Sequence, residues 1–207
     1  MYKVYGLPRT RTMRVLWALE ELGQEYVLVP MAQRSEEARA LNPSGKIPII
    51  KIDDQVVTDS VAIVQTLADR HVALTHSPGT IERARQDAMT QFCVDEVEGA
   101  LWTFSKHSYV YPEEQRVSAI LPAVQGEFER AMATLSARLG DQMFVTGATF
   151  TVPDIILTHC AMWNANGPKW PVDHQNVTAY FERNRSRPAL QLALEKAVKT
   201  MRKHSAR

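Results

Sequence analysis

The segment PRTRTMRVLWALEELG, residues 8–23, places Thr10 and Thr12 among three arginines just ahead of an apolar run. Its hydroxyls are either a solvated lead-in to a helix or groups positioned for chemistry. A second segment, NPSGKIPII, sets Pro48 after Lys46 and Ile47 at the mouth of a strand. Proline removes a ladder donor and belongs at strand starts or edges. A trans proline opening an edge strand is the ordinary reading, since only about 5% of X–Pro bonds are cis. A cis Ile47–Pro48 bond would turn the backbone N–H and C=O of Ile47 outward, where an extended peptide-like ligand could pair with them. In TDSVAI, Asp59 and Ser60 precede a helix. They read as an N-cap, and the same geometry offers free N–H groups and a hydroxyl to a docking carboxylate while Asp59 holds an ammonium group.

Two further segments carry polar or aromatic groups. FTVPDIIL fits a capping box through Thr151 and Asp154 and a hydrophobic staple through Phe150 and Ile155, a signature of folding rather than turnover. LWTFSKHSYVYP gathers Trp102, Phe104, His107, Tyr109 and Tyr111, which either pack a core or line an open apolar pocket. His159, in the apolar stretch after the capping box, reads as a hydrogen-bonded core histidine.

The elements that must position these groups change character along the chain. YKVYG alternates as a strand. Val15, Leu19 and Leu22 recur at helical spacing, with Glu20 and Glu21 on the other face and Gly23 as the stop. EYVLVP is a second strand and SEEARALN a short helical turn. IPIIKI and QVVT flank a two-aspartate hairpin turn, and SVAIVQTLADRH returns to helical periodicity. The order β-α-β-α-β-β-α predicts a small mixed sheet with packed helices over residues 1–72. HVALTHSPG reads as a linker. An all-helical domain is then expected over 82–207, with helices near 81–106, 113–139, 152–164, 177–185 and 188–203.

Composition excludes several classes. The 207 residues carry 24 basic and 23 acidic side chains, so nothing advertises nucleic acid or an anionic membrane as partner. No apolar stretch approaches a membrane span, and the N-terminus lacks the layout of a signal peptide, so the expected compartment is the cytoplasm. Cys93 and Cys160 form no CxxC pair, which argues against a disulfide framework and against cysteine-ligated zinc; buried hydrophobes are the expected role.

Taken in order, RTRTMRVLWALEELGQEYVLV, LNPSGKIPII, TDSVAIVQTLA, FTVPDIILTH and YFERNRSRPALQLALE resemble the cytosolic glutathione transferase family over essentially the whole chain. The first of them is most similar to the bacterial branch led by S-R-S-x-R-V-L-W, with threonine in place of serine. The resemblance implies a thioredoxin-like α/β domain joined to an all-α domain, a homodimer, and glutathione as co-substrate with no metal. It implies a cis Pro48, with Ile47 pairing through its backbone with the cysteinyl part of glutathione. Asp59, where glutamate is commoner, and Ser60 would bind the γ-glutamyl ammonium and carboxylate. Lys46, with Gln33 and Arg34, would reach the glycyl end. The aromatic cluster and Trp163 would form the electrophile pocket. Thr10 falls where the family's serine faces sulfur. Thr12 falls on its second serine and is expected as the helix N-cap, and Arg11 could add positive charge. The implied reaction is thiolate attack on a small hydrophobic electrophile or reduction of a hydroperoxide; glutathione-assisted cis–trans isomerisation is weaker, because the serine-cysteine lead-in of that branch is absent. The alternative is a ligand-binding or interaction protein that keeps the fold without turnover.

Overall fold

The structure is a computed structural model and describes residues 1–205. The chain divides into two compact units, Met1–Thr75 with the chain from Arg185 onward, and His76–Asn184. The first unit is built on a four-stranded sheet of order β2-β1-β3-β4, with β1 at Tyr2–Gly6, β2 at Tyr26–Pro30, β3 at Ile49–Ile52 and β4 at Gln55–Thr58. β1 runs parallel to β2 and antiparallel to β3. The crossover between the parallel strands is helix α1, Thr12–Glu21, as a parallel pair requires. The β3–β4 hairpin turns on Asp53 and Asp54, both at positive φ, the conformation that a two-residue hairpin loop demands. Helix α2, Glu36–Leu41, starts at Ser35, whose side chain accepts from Ala38 N–H at 3.2 Å. Helix α3 spans Ser60–His71.

α1 is buried almost all round, from Thr12 to Leu19. Its acidic pair does not face water as the spacing predicts. The side chains of Glu20 and Glu21 are only 6% and 9% exposed, covered by the C-terminal segment. Arg187 gives Glu21 a two-pronged ion pair at 2.6 and 2.7 Å, and Trp17 Nε1 donates to the same carboxylate at 2.8 Å. Lys196 meets Glu20 at 2.7 Å, as does the Tyr26 hydroxyl. Burial and this carboxylate push the Tyr26 hydroxyl far above its ordinary pKa. The segment that covers them ends in the last helix, Pro188–Ser205, which buries Leu190, Ala193 and Ala197 and packs on α1 and β2. Its helical texture groups it in sequence with the preceding helices; its contacts place it with the sheet.

The second unit is helical. Helix α4, Ile81–Phe92, runs through a widened π-helical stretch, Cys93–Glu98, into α5, Gly99–Ser105, and a second such stretch, Lys106–Val110. Residues 113–120, expected as helix, form two 3₁₀ turns, and α6 spans Leu121–Leu139. Pro122 sets that boundary, because proline is tolerated in a first turn and not in a helix interior. α7, Val152–Asn166, opens on the expected capping box, followed by α8, Gln175–Arg185, beyond which the chain returns to the first unit. Asp154 is fully buried. It accepts from Val145 N–H at 3.0 Å, Thr151 N–H at 2.8 Å, Thr151 Oγ1 at 3.1 Å and Tyr180 OH at 2.8 Å. Burial pushes its carboxyl up, and these donors draw it back part of the way. Cys93 and Cys160 are fully buried, and His159 stacks edge-on against Trp163. Among the described residues no helix is long and apolar enough to cross a membrane.

Candidate functional site

Strand register draws the candidate residues of the first unit to one end of the sheet. Tyr5 pairs with Ile49, and Ile49 pairs with Thr58. The exit of β1, the entry of β3 and the exit of β4 are therefore neighbours. Thr10 and Thr12 follow the first, Ile47 and Pro48 precede the second, and Asp59 and Ser60 follow the third. α1 and α3 also begin here, so both helices direct their positive ends to the same place.

At the start of α1, Leu7–Thr10 forms a tight turn in which Thr10 N–H donates to Leu7 O at 3.1 Å. The Thr10 hydroxyl donates to the same carbonyl at 2.7 Å. Its oxygen accepts from Thr12 N–H at 3.2 Å and lies 2.9 Å from Thr12 Oγ1. The cap position expected for Thr12 is held instead by Arg11, with no side-chain cap bond. Thr12 is the first helical residue and is wholly buried, because its side chain packs over Gly6. A Cβ on Gly6 would fall 2.2 Å from Thr12 Oγ1. Thr10 and Arg11 are half-buried.

The Ile47–Pro48 bond is cis. Among the described residues neither the N–H nor the C=O of Ile47 makes a backbone hydrogen bond. Arg34 N–H donates to Gly45 O at 2.7 Å, and Asn42 Nδ2 donates to Lys46 O at 2.9 Å. Gly45 sits at φ +65°, with room for no Cβ against Arg34 Cα 2.9 Å away. Gln33, Arg34 and Lys46 are exposed on two loops that this glycine lets touch. Arg39, which the sequence did not single out, lies against Gly45 as well and adds a third cation to Arg34 and Lys46.

Asp59 caps α3: its Oδ1 accepts from Val61 N–H at 2.8 Å and Ala62 N–H at 3.2 Å. Those N–H groups are therefore not open to a ligand, contrary to the simple reading of the motif, but the exposed Oδ2 remains available to a cation. Ser60 is 2% exposed and its Oγ accepts from Arg14 Nη1 at 3.3 Å. Arg14, 1% exposed, is a second residue that spacing did not single out. Its place inside the apolar run MRVLW, on a helix buried all round, is the signal that could have found it.

The aromatic residues of the second unit fall into three groups of contacts. Trp102 stacks edge-on against Trp163 at 6.3 Å, and Trp163 Nε1 and Tyr109 OH both donate to Ser105 Oγ, at 3.2 and 2.7 Å. His107 pairs with Tyr111 at 5.4 Å, and its Nδ1 accepts from Val117 N–H at 3.1 Å. Phe104 packs against Trp170, which also touches Phe128. Phe104 thus belongs to a packed aromatic cluster and not with the tryptophan pair. Among the described residues no group of His, Cys, Asp or Glu could hold a metal ion.

Comparison with known proteins finds glutathione transferases. Residues 10–70 match the model of the glutathione S-transferase N-terminal domain. The glutathione S-transferase GstA of Escherichia coli O157:H7 is 25% identical over 202 residues, covering 93% of this chain and 96% of its own. A solved glutathione transferase of Methylococcus capsulatus is 26% identical, with TM-score 0.81 over 95% of this chain and 98% of that one. The URE2P8 glutathione transferase of Phanerochaete chrysosporium, solved with oxidised glutathione, shares the fold at TM-score 0.85 and 20% identity, over 97% and 96% of the two chains. The chain therefore has the fold of these glutathione transferases, a thioredoxin-like domain with a four-stranded sheet and a helical second part, and it is similar to them in sequence over nearly its whole length.

Proposed function

We propose that the protein is a glutathione transferase that activates the glutathione thiol for attack on small hydrophobic electrophiles, and that it also reduces organic hydroperoxides. The observation that carries the reading is the convergence of Thr10, Ile47 and Asp59–Ser60 on one end of the sheet. Ile47 offers an N–H and a C=O to the cysteinyl residue of the ligand. Asp59 Oδ2 takes the γ-glutamyl ammonium, and Ser60, backed by the Arg14 guanidinium, takes the neighbouring carboxylate. Lys46, Gln33 and Arg34 reach the glycyl carboxylate. Trp102, Phe104, His107, Tyr109, Tyr111 and Trp163 are the aromatic groups proposed for the electrophile.

The chemistry asks for a thiolate. A free thiol has a pKa of about 8.5, so at neutral pH most of it is protonated. Lowering it by about two requires roughly 2.7 kcal/mol of preference for the anion. One hydrogen bond from a hydroxyl to a charged acceptor supplies about 1.5–3 kcal/mol, and the α1 N-terminus and Arg11 add in the same direction. With an aryl halide, sulfur bonds to the ring carbon and halide leaves. With a hydroperoxide, sulfur takes the terminal oxygen and the alcohol leaves; a second glutathione then forms the disulfide and water. The protein is further proposed to act as a cytoplasmic homodimer.

A second reading, glutathione binding without turnover, is favoured by one observation: the Thr10 hydrogen is already given to Leu7 O. A thermal shift with glutathione, together with a conjugation assay, separates the two. Stabilisation with turnover is expected. Stabilisation without turnover supports the carrier, and no stabilisation removes the glutathione site.

A further inference from the structure

We infer that Thr12 acts as a positioning residue that makes Thr10 a stronger donor, and that Leu7 O is the resting acceptor from which the Thr10 proton is released. This rests on the glutathione reading above. The Thr10 hydrogen points to Leu7 O at 2.7 Å, so in the 2.9 Å contact between the two hydroxyls Thr12 is the donor. Thr10 Oγ1 therefore receives two hydrogens from one residue, the Thr12 N–H and the Thr12 O–H. An oxygen that accepts hydrogen bonds is polarised and donates its own hydrogen more strongly.

The geometry also makes release of that hydrogen cheap. When Thr10 turns its O–H from Leu7 to a thiolate, Leu7 O keeps the Thr10 N–H at 3.1 Å and is not left without a donor. The proton lost by the thiol leaves to water, and no other group need change its charge. Thr12 does not reach the ligand itself, since it is wholly enclosed and its oxygen is pressed against Gly6. The two threonines are a donor and its support, in series.

The test reads the thiolate absorbance of protein-bound glutathione against pH, with affinity and melting temperature measured in parallel. Wild type sets whether the thiol is activated at all, and Thr10→Val sets what the first hydroxyl contributes. Thr12→Val, which keeps the shape, is expected to lower the ratio of bound thiolate to bound thiol at fixed pH about three-fold, consistent with a 10–30% loss in the strength of one hydrogen bond. Affinity for glutathione should be unchanged, and Thr12→Ser should restore the fraction. Thr12→Ala removes the hydroxyl without pressing on Gly6 and should behave as the valine variant does if that one fails to fold. An activated thiol in wild type that is insensitive to Thr12→Val and Thr12→Ala overturns the inference and leaves the glutathione reading intact. Loss in Thr12→Ser as large as in Thr12→Val also overturns it, since packing alone would then explain the effect. Absence of glutathione binding in wild type ends both.

Discussion

Asp59 uses one carboxylate oxygen to cap α3 and leaves the other exposed, so capping and ligand binding need not compete. The two tasks respond differently to substitution. Asparagine caps a helix about as well as aspartate but brings no charge to an ammonium group. Asp59→Asn should therefore leave the melting temperature nearly unchanged while weakening glutathione binding about ten-fold or more, the scale of a lost hydrogen bond to a charged group. Calorimetric titration alongside thermal unfolding checks this. A parallel loss of stability and affinity would mean that the cap is the only role. The same residue shows what sequence could and could not say. That Asp59 and Ser60 begin a helix is local chemistry, readable from six letters. That the cap closes two N–H groups and leaves Oδ2 open depends on rotamer and φ +71°, which no spacing encodes. Thr10 and Thr12 repeat the lesson: the sequence places a hydroxyl before the helix, but the Leu7–Thr10 turn decides which one is outside.

At the scale of elements, legibility follows sequence separation. The capping box at Thr151 and Asp154 links residues three apart and is present as the motif predicts. What could not be read is that Tyr180, 26 residues on, also donates to Asp154. That contact raises the expected cost of removing the carboxylate. Asp154→Ala should lose about 0.5–2 kcal/mol for the cap and a further 1–3 kcal/mol or so for each buried donor left unpaired. Asp154→Asn should do little better, because its NH₂ must face two donors whichever way the amide turns: Val145 N–H with Tyr180 OH, or the N–H and hydroxyl of Thr151. Tyr180→Phe, which leaves the box intact, should cost about 1 kcal/mol, the net worth of one hydrogen bond. Urea denaturation ranks the three. A fall in turnover with stability held would contradict the structural role of the motif.

At the scale of the molecule, the first unit is discontinuous, and that decides how its site is supported. α1 carries Thr10 and Thr12 at one end and Glu20 and Glu21 at the other, and the last two are covered by residues 166 and 176 positions away. Helical periodicity reads the pair as solvated because it counts faces and not partners; only the return of Arg187 and Lys196 gives them a reason to be buried. Without that segment the ion pairs at Glu20 and Glu21 are lost and the apolar surface beneath it meets water. The wall formed by Leu190, Ala193 and Ala197 would go with it. Residues 1–75 alone are therefore expected to lack a cooperative thermal transition. The same residues joined through a flexible linker to residues 185–207 should regain one and bind glutathione. Calorimetry on the two fragments decides the matter. A cooperative transition of equal midpoint in both would show that the sheet and α1–α3 stand alone, and that the C-terminal helix only rests on a finished unit.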